Sequence, residues 1–206
     1  MNNLFDVIFT TAFGYAVLRV TTPILFAALG ALISDKAGVM NISLEGMMLT
    51  SALVGVMVSA YTGSAWVGLI VAVLAGVLLG LVLAYFSLNL KTDIILAGIA
   101  LNLMASGGTV FALYLVAHDK GISTSLNSKV LPQIVLPVIN KIPVLGPILS
   151  GHNILTYVSI LSVAAIYILL YKTALGLRIR AVGENDHAAD SVGISVRRVR
   201  YIALAI

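Results

Sequence analysis

Three stretches of the chain carry no Asp, Glu, Lys or Arg: Gly46 to Leu90, Ile94 to His118 and Ile142 to Tyr171. A helix needs about 20 predominantly apolar residues to cross the hydrocarbon of a bilayer, so each stretch suffices for one crossing and the first for two. The composition agrees: 60% of the 206 residues are hydrophobic and 10% are charged, with a mean hydropathy of +1.09. Soluble domains carry about 25% charged residues. These features predict an all-α fold, a polytopic transmembrane helical bundle. The absence of cysteine excludes disulfides, thiolate metal sites and cysteine nucleophiles. The beginning, MNNLFDVIFTTAFGYAVL, has neither a basic n-region nor a small-residue cleavage pattern, which argues against a removable signal peptide.

Basic residues set the sidedness. Six of the twelve Lys and Arg residues (Lys172, Arg178, Arg180, Arg197, Arg198 and Arg200) fall between Tyr171 and Arg200. The positive-inside bias puts this stretch in the cytoplasm. The small net charge of +4 offers no coherent basic face for nucleic acid. By parity, Lys91 and Asp35/Lys36 lie inside, and the Tyr61 turn and the 119–151 segment outside. Arg19, Lys120, Lys129 and Lys141 run against the bias.

The apolar pattern divides the chain as follows. Residues 4–18 read as an interfacial or marginal helix, and 20–34 and 43–60 as short helices around a hinge, with Pro23 in the first turn of the former. Residues 65–88, 93–117 and 153–171 read as spans. Residues 119–151, interrupted by Pro132, Pro137, Pro143 and Pro147, read as an extracytoplasmic loop with short interfacial helices. Residues 172–200 form a cytoplasmic loop, and 201–206 the start of a further span. The expectation is that 1–206 is the N-terminal portion of a single, truncated membrane domain.

Two constellations carry candidate chemistry. The hinge SDKAGVMNISLEG between two short apolar runs resembles a discontinuous helix, which is tolerated at membrane depth only where protein or water satisfies the backbone. Asn41, Ser43, Glu45 and Gly46 are therefore candidates for a translocation pathway. Glu45 reads equally as a first-turn residue of a helix capped by Asn41. Asn102 and Ser106, four residues apart, share a helix face and either line the pathway or cement helix packing. In the cytoplasmic stretch, Asn185 or Asp186 can cap a short helix that Gly193 ends. His187 among Glu184, Asp186 and Asp190 reads as a solvated face rather than a catalytic or metal cluster. His118 and His152 read as interfacial polar residues. No nucleotide-binding glycine loop, HExxH or nucleophile triad is present, so neither enzymatic activity nor a cofactor is expected.

The stretch TALGLRIRAVGENDHAADSVGIS, Thr173 to Ser195, resembles the cytoplasmic coupling loop of permease subunits of bacterial ABC importers, in the group that includes ribose and branched-chain amino acid permeases. TPILFAALGALISDKAGVMNISLEGMM, Thr22 to Met48, resembles the nucleoside-type branch of that group, associated with basic membrane lipoproteins. The resemblance implies a multi-pass protein of the bacterial plasma membrane that imports a small polar solute. Its implied partners are cytoplasmic ATP-binding subunits, a second homologous permease and an extracytoplasmic substrate-binding lipoprotein. It also implies a coupling helix to which Gly183, Glu184, Asn185, Ala188, Ala189 and Gly193 contribute. The alternatives are a gradient-driven secondary transporter, for which Glu45 and Asp93 are the available carboxylates, and a membrane scaffold without a substrate.

Overall fold

The computed structural model describes residues 10–118, 121–123, 125–135 and 145–206. Its helices are α1 (Thr11–Lys36), α2 (Leu44–Thr62), α3 (Ala65–Leu88), α4 (Ile94–Ala117), α5 (Leu145–Leu149), α6 (Ile154–Lys172), α7 (Ala174–Glu184), α8 (Asp186–Ser191) and α9 (Val196–Ala205). Among the described residues, α1, α2, α3, α4 and α6 are long and apolar enough to cross a membrane. An antiparallel pair of two-residue strands, β1 (Gln133–Ile134) with β2 (His152–Asn153), is an addition to the all-α expectation. The chain forms two compact units, residues 1–29 with 131–167 and residues 30–130 with 168–206.

In the first unit, side-chain hydroxyls and rings tie helices to loops. Tyr15 donates to the Gly151 carbonyl (3.0 Å) and stacks on the His152 ring at 4.0 Å. His152 is buried, with Nε2 2.7 Å from the Ile148 carbonyl oxygen. Tyr157 donates to the Leu149 and Ile134 carbonyls, and Thr22 bonds Thr156 across α1 and α6. His152 is therefore a packed, hydrogen-bonded residue of this unit.

The expected break near Arg19 is absent, because α1 runs unbroken from Thr11 to Lys36 with Pro23 inside it. A single charge does not end a helix, since a long arginine stem can carry its guanidinium to the interface. Pro23 withdraws one donor from the ladder. Beside it, Thr21 and Thr22 turn their hydroxyls back onto the Val17 and Leu18 carbonyls. Residues 4–9 of the expected first helix lie outside the described residues.

In the second unit, α2 packs against α3 and α4, and α9 against α3. Lipid offers helices no hydrophobic drive to associate, so close packing at small residues does the work. At the α2–α3 crossing, a Cβ on Gly68 would stand 2.7 Å from the Gly55 carbonyl oxygen, and one on Gly76 3.1 Å from Ser51 Oγ. On α3, a Cβ on Gly80 would lie 2.2 Å from the Leu204 carbonyl oxygen of α9. Val39, Leu83, Ala84 and Leu204 make the buried core there, ringed by Met47, Leu88, Ile94 and Tyr201. The α2–α3 turn is only Gly63 and Ser64, with Gly63 left-handed at φ 66°. Near it, Ser59 Oγ takes the Lys129 N–H (3.0 Å), tying residue 129 to the last turn of α2.

Gly80→Ala in the full-length protein is expected to cost about 1–3 kcal/mol through overpacking against rigid backbone. Gly107→Ala on α4, with open space around it, is expected to be neutral or to stabilise by about 0.5–1 kcal/mol. Thermal unfolding in detergent reads both. Equal midpoints for the two variants would refute the close α3–α9 contact.

Candidate functional site

The stretch after α6 is built as three helices rather than a loop, and each junction has a local cause. Thr173 caps α7 by accepting the Gly176 N–H (3.1 Å), while its hydroxyl donates to the Leu169 carbonyl (2.6 Å). A Cβ on Gly176 would sit 2.1 Å from that carbonyl oxygen, so the α6–α7 corner requires glycine. Helix α7 buries Gly176, Ile179 and Val182 and exposes Leu177 and Arg178. Asn185, extended at φ −154°, ends α7 and caps α8 by accepting the Ala188 N–H (3.0 Å). Gly193 closes α8 in the left-handed region at φ +84°, with its N–H on the Asp190 carbonyl and that of Ile194 on the Ala189 carbonyl. The cap at 185 and the stop at 193 agree with the sequence pattern. Helix α7 and the first turn of α9 are not legible there, because basic residues on an amphipathic helix read locally as loop charge.

The six residues expected at a docking element fall into three groups. Glu184, Asn185, Ala188 and Gly193 are exposed on the outer side of this assembly, whereas Ala189 is buried beneath α8. Gly183 is open on one face, and its other meets the α1–α2 connection. There a Cβ would stand 2.2 Å from the Lys36 carbonyl oxygen and 3.1 Å from the Gly38 nitrogen. Gly38, at φ +71°, makes the turn that brings the connection this close.

Asn89, unremarked in the sequence, and Arg200, read there only as a loop charge, lock α9 to its neighbours. Asn89 Oδ1 accepts from the Arg197 guanidinium and from the Tyr201 hydroxyl (2.9 Å). Arg200 pairs with Asp186 (3.2 Å) and donates through Nε to the Ala37 carbonyl (3.4 Å). Residues 36–38, 89, 183, 186, 197, 200 and 201 thus meet in the second unit. Partial burial works to raise the Asp186 pKa; the Arg200 and His187 charges and the hydrogen bonds outweigh it and hold the carboxyl below its ordinary 3.8. His187 itself is fully solvated.

Of the pathway candidates, the structure joins Asn41, Ser43, Gly46 and Asn102 in one network. Asn102 Nδ2 donates to the Ile42 carbonyl (2.9 Å), and its Oδ1 accepts the Gly46 N–H (2.8 Å). Asn41 Oδ1 accepts from the Ser43 amide (3.1 Å) and hydroxyl (2.8 Å). Asn41 therefore braces the turn, and the N-cap position of α2 belongs to Ser43. Both arms of Asn102 serve packing: it clamps the connection and the first turn of α2 onto α4. Glu45 is exposed in that first turn, near the positive helix end. Ser106 stands apart from the network. With Thr109 and Ser123 it supplies hydroxyls to a cleft of about 400 Å³ between α2 and α4, otherwise walled by Leu49, Leu53, Val56 and Leu113. Asp93 caps α4, accepting the Ile95 and Leu96 amides (2.8 and 3.3 Å).

Asn102→Leu should leave the Ile42 carbonyl and the Gly46 N–H unpaired, lowering stability by about 1–3 kcal/mol, with faster proteolysis within residues 37–43. Unchanged midpoints and cleavage would remove the clamp. For Asp186, the sign follows from its lowered pKa: its contribution is present above pH 3.8 and is lost as pH falls through the lower folded value. The order of α8, followed by hydrogen-exchange protection, is therefore expected to be higher at about pH 5 than below pH 3.8 in the wild type.

Residues 15–206 match the family described as branched-chain amino acid transport system / permease component. Among curated relatives, a Haloferax volcanii protein provisionally named a glucose ABC transporter permease is 34% identical, over 93% of this chain and 57% of its own length. The guanosine ABC transporter permease NupQ of Bacillus subtilis is 36% identical, over 93% and 61%. The nucleoside ABC transporter permease NupC of Lactococcus lactis is 32% identical, over 90% and 60%. The chain thus spans about three-fifths of the length of these relatives. No solved structure matches. With a match over nearly its whole length and helices that agree with it, the chain belongs to the branched-chain amino acid transport system permease family.

Proposed function

We propose that this chain is part of the membrane permease of an ATP-driven importer for a small, uncharged polar solute, with nucleosides as the first candidates. The observation that carries the reading is family membership joined to the α7–α8 assembly. That assembly presents Glu184, Asn185, Ala188 and Gly193 outward at the same end as the α1–α2 connection. An exposed, capped helix on a rigid support suits docking of a cytoplasmic ABC ATPase subunit. The same reading assigns a second homologous permease and an extracytoplasmic substrate-binding lipoprotein as partners, and a bacterial plasma membrane as location. The 37–43 connection takes the part of the discontinuous segment, and α8 that of the coupling helix. The α2–α4 cleft supports the substrate class, since it offers hydroxyls from Ser106, Thr109 and Ser123 and, among the described residues, no charged side chain. A solute held there is recognised by hydrogen bonds rather than by ion pairing.

A sugar is the second reading, favoured by the glucose-named relative at 34% identity. The gradient-driven alternative loses ground because its two carboxylates have ordinary roles: Asp93 caps α4, and Glu45 lies exposed at the start of α2.

The test uses the full-length protein with its ATPase and partner permease in proteoliposomes. ATP-dependent uptake of radiolabelled guanosine or uridine, undiminished by excess glucose, is the expected result. Glucose uptake undiminished by nucleosides would replace the substrate and keep the importer. Uptake that follows an ion gradient and ignores ATP would overturn both.

A further inference from the structure

We infer that Arg200 is a positioning residue that ties α8 to the α1–α2 connection, so that displacement of α8 reaches the Asn102 clamp and the α2–α4 cleft. The inference rests on the importer reading for its functional meaning, and on geometry for the link itself. Helix α8 is six residues long and buries only Ala189, so little apolar contact fixes its position. Its charged tether is the Asp186–Arg200 pair at 3.2 Å, with the arginine side chain only 23% exposed. The same guanidinium donates through Nε to the Ala37 carbonyl. A Cβ on Gly38 would lie 3.6 Å from Nη2, an ordinary packing distance, so the turn at residue 38 lies directly against the guanidinium.

From Ala37 the route is short. Five residues on, the Ile42 carbonyl is held by Asn102, which also holds the Gly46 N–H. One turn further along α4 stands Ser106, in the wall of the cleft. Gly183 presses on Lys36 and Gly38 from α7, so the connection is gripped from two sides. A guanidinium suits this junction because its planar fork engages two acceptors in different directions at once, which a lysine ammonium on a flexible stem does less well.

The experiment has two arms, both on the full-length protein. In the first, hydrogen exchange is compared for wild type, Arg200→Gln and Arg178→Gln, the last altering an exposed α7 residue. Arg200→Gln is expected to raise exchange in 37–43 and 186–191 together, and Arg178→Gln in neither. A response in one segment only, or in none, overturns the link whether or not the protein is an importer. In the second arm, uptake and ATP hydrolysis are measured in the reconstituted transporter. Arg200→Gln and Asp186→Asn are each expected to lower solute moved per ATP roughly three- to tenfold, in line with losing a charge-assisted hydrogen bond. ATPase co-purification is expected to persist, and the exchanged pair Asp186→Arg/Arg200→Asp not to recover the ratio, because an aspartate at 200 cannot donate to the Ala37 carbonyl. A purely structural arginine would lower yield and melting temperature while leaving the ratio intact, which overturns the proposal. Absence of ATP-driven uptake in the wild type counts against the importer reading, and the exchange arm still decides the link.

Discussion

Backbone polar groups in hydrocarbon have no water to bond, so each must be satisfied within a helix or by a neighbour. The same need for partners arises, among the described residues, where the chain leaves the helical ladder between α1 and α2. Where α1 ends and α2 begins, the seven residues between them rely on borrowed partners: the Asn102 amide for Ile42, the Asn41 side chain for Ser43, and Arg200 for Ala37. The connection is consequently one of the most heavily braced parts of the second unit, although it has no regular structure.

The same constraint explains how the helices meet. Lipid tails are as apolar as leucine, so association gains little from burying large side chains and more from close packing at small ones. At the α3–α9 and α7–connection contacts, the glycine backbone lies where a Cβ would overlap a carbonyl oxygen. Contacts of this kind are stiff, because neither partner has a flexible side chain to yield.

Polar residues in such a chain invite functional readings, and several of them prove structural. Asn102 is a clamp, Asp93 a helix cap, His152 a buried ring stacked on Tyr15, and Asn41 a turn brace. Ser106 differs: it stands in the wall of a cleft, apart from the Asn102 network. Residues that satisfy local backbone and residues that meet a solute are drawn from the same few types, which is why residue type alone does not separate them.

The amino-acid sequence by itself pointed to a chain that crosses a membrane as helices, because charge-free runs of about 20 apolar residues fit the hydrocarbon as helices, whose backbone bonds are internal. It also determined the α8 boundaries, since the Asn185 cap and the Gly193 stop act within a few residues. The likeness to the permease family is equally local, carried by the two runs Thr22 to Met48 and Thr173 to Ser195. What only the tertiary structure decided is which distant residues meet: Gly183 with Gly38, Arg200 with Asp186 and Ala37, Asn102 with Ile42. It also decided that α1 continues through Arg19 and Pro23, where local pattern predicts a break. Helix caps and apolar runs are short-range and leave a mark in adjacent residues. A guanidinium finding a carbonyl 163 positions away leaves none, because that contact exists only once the intervening helices have packed.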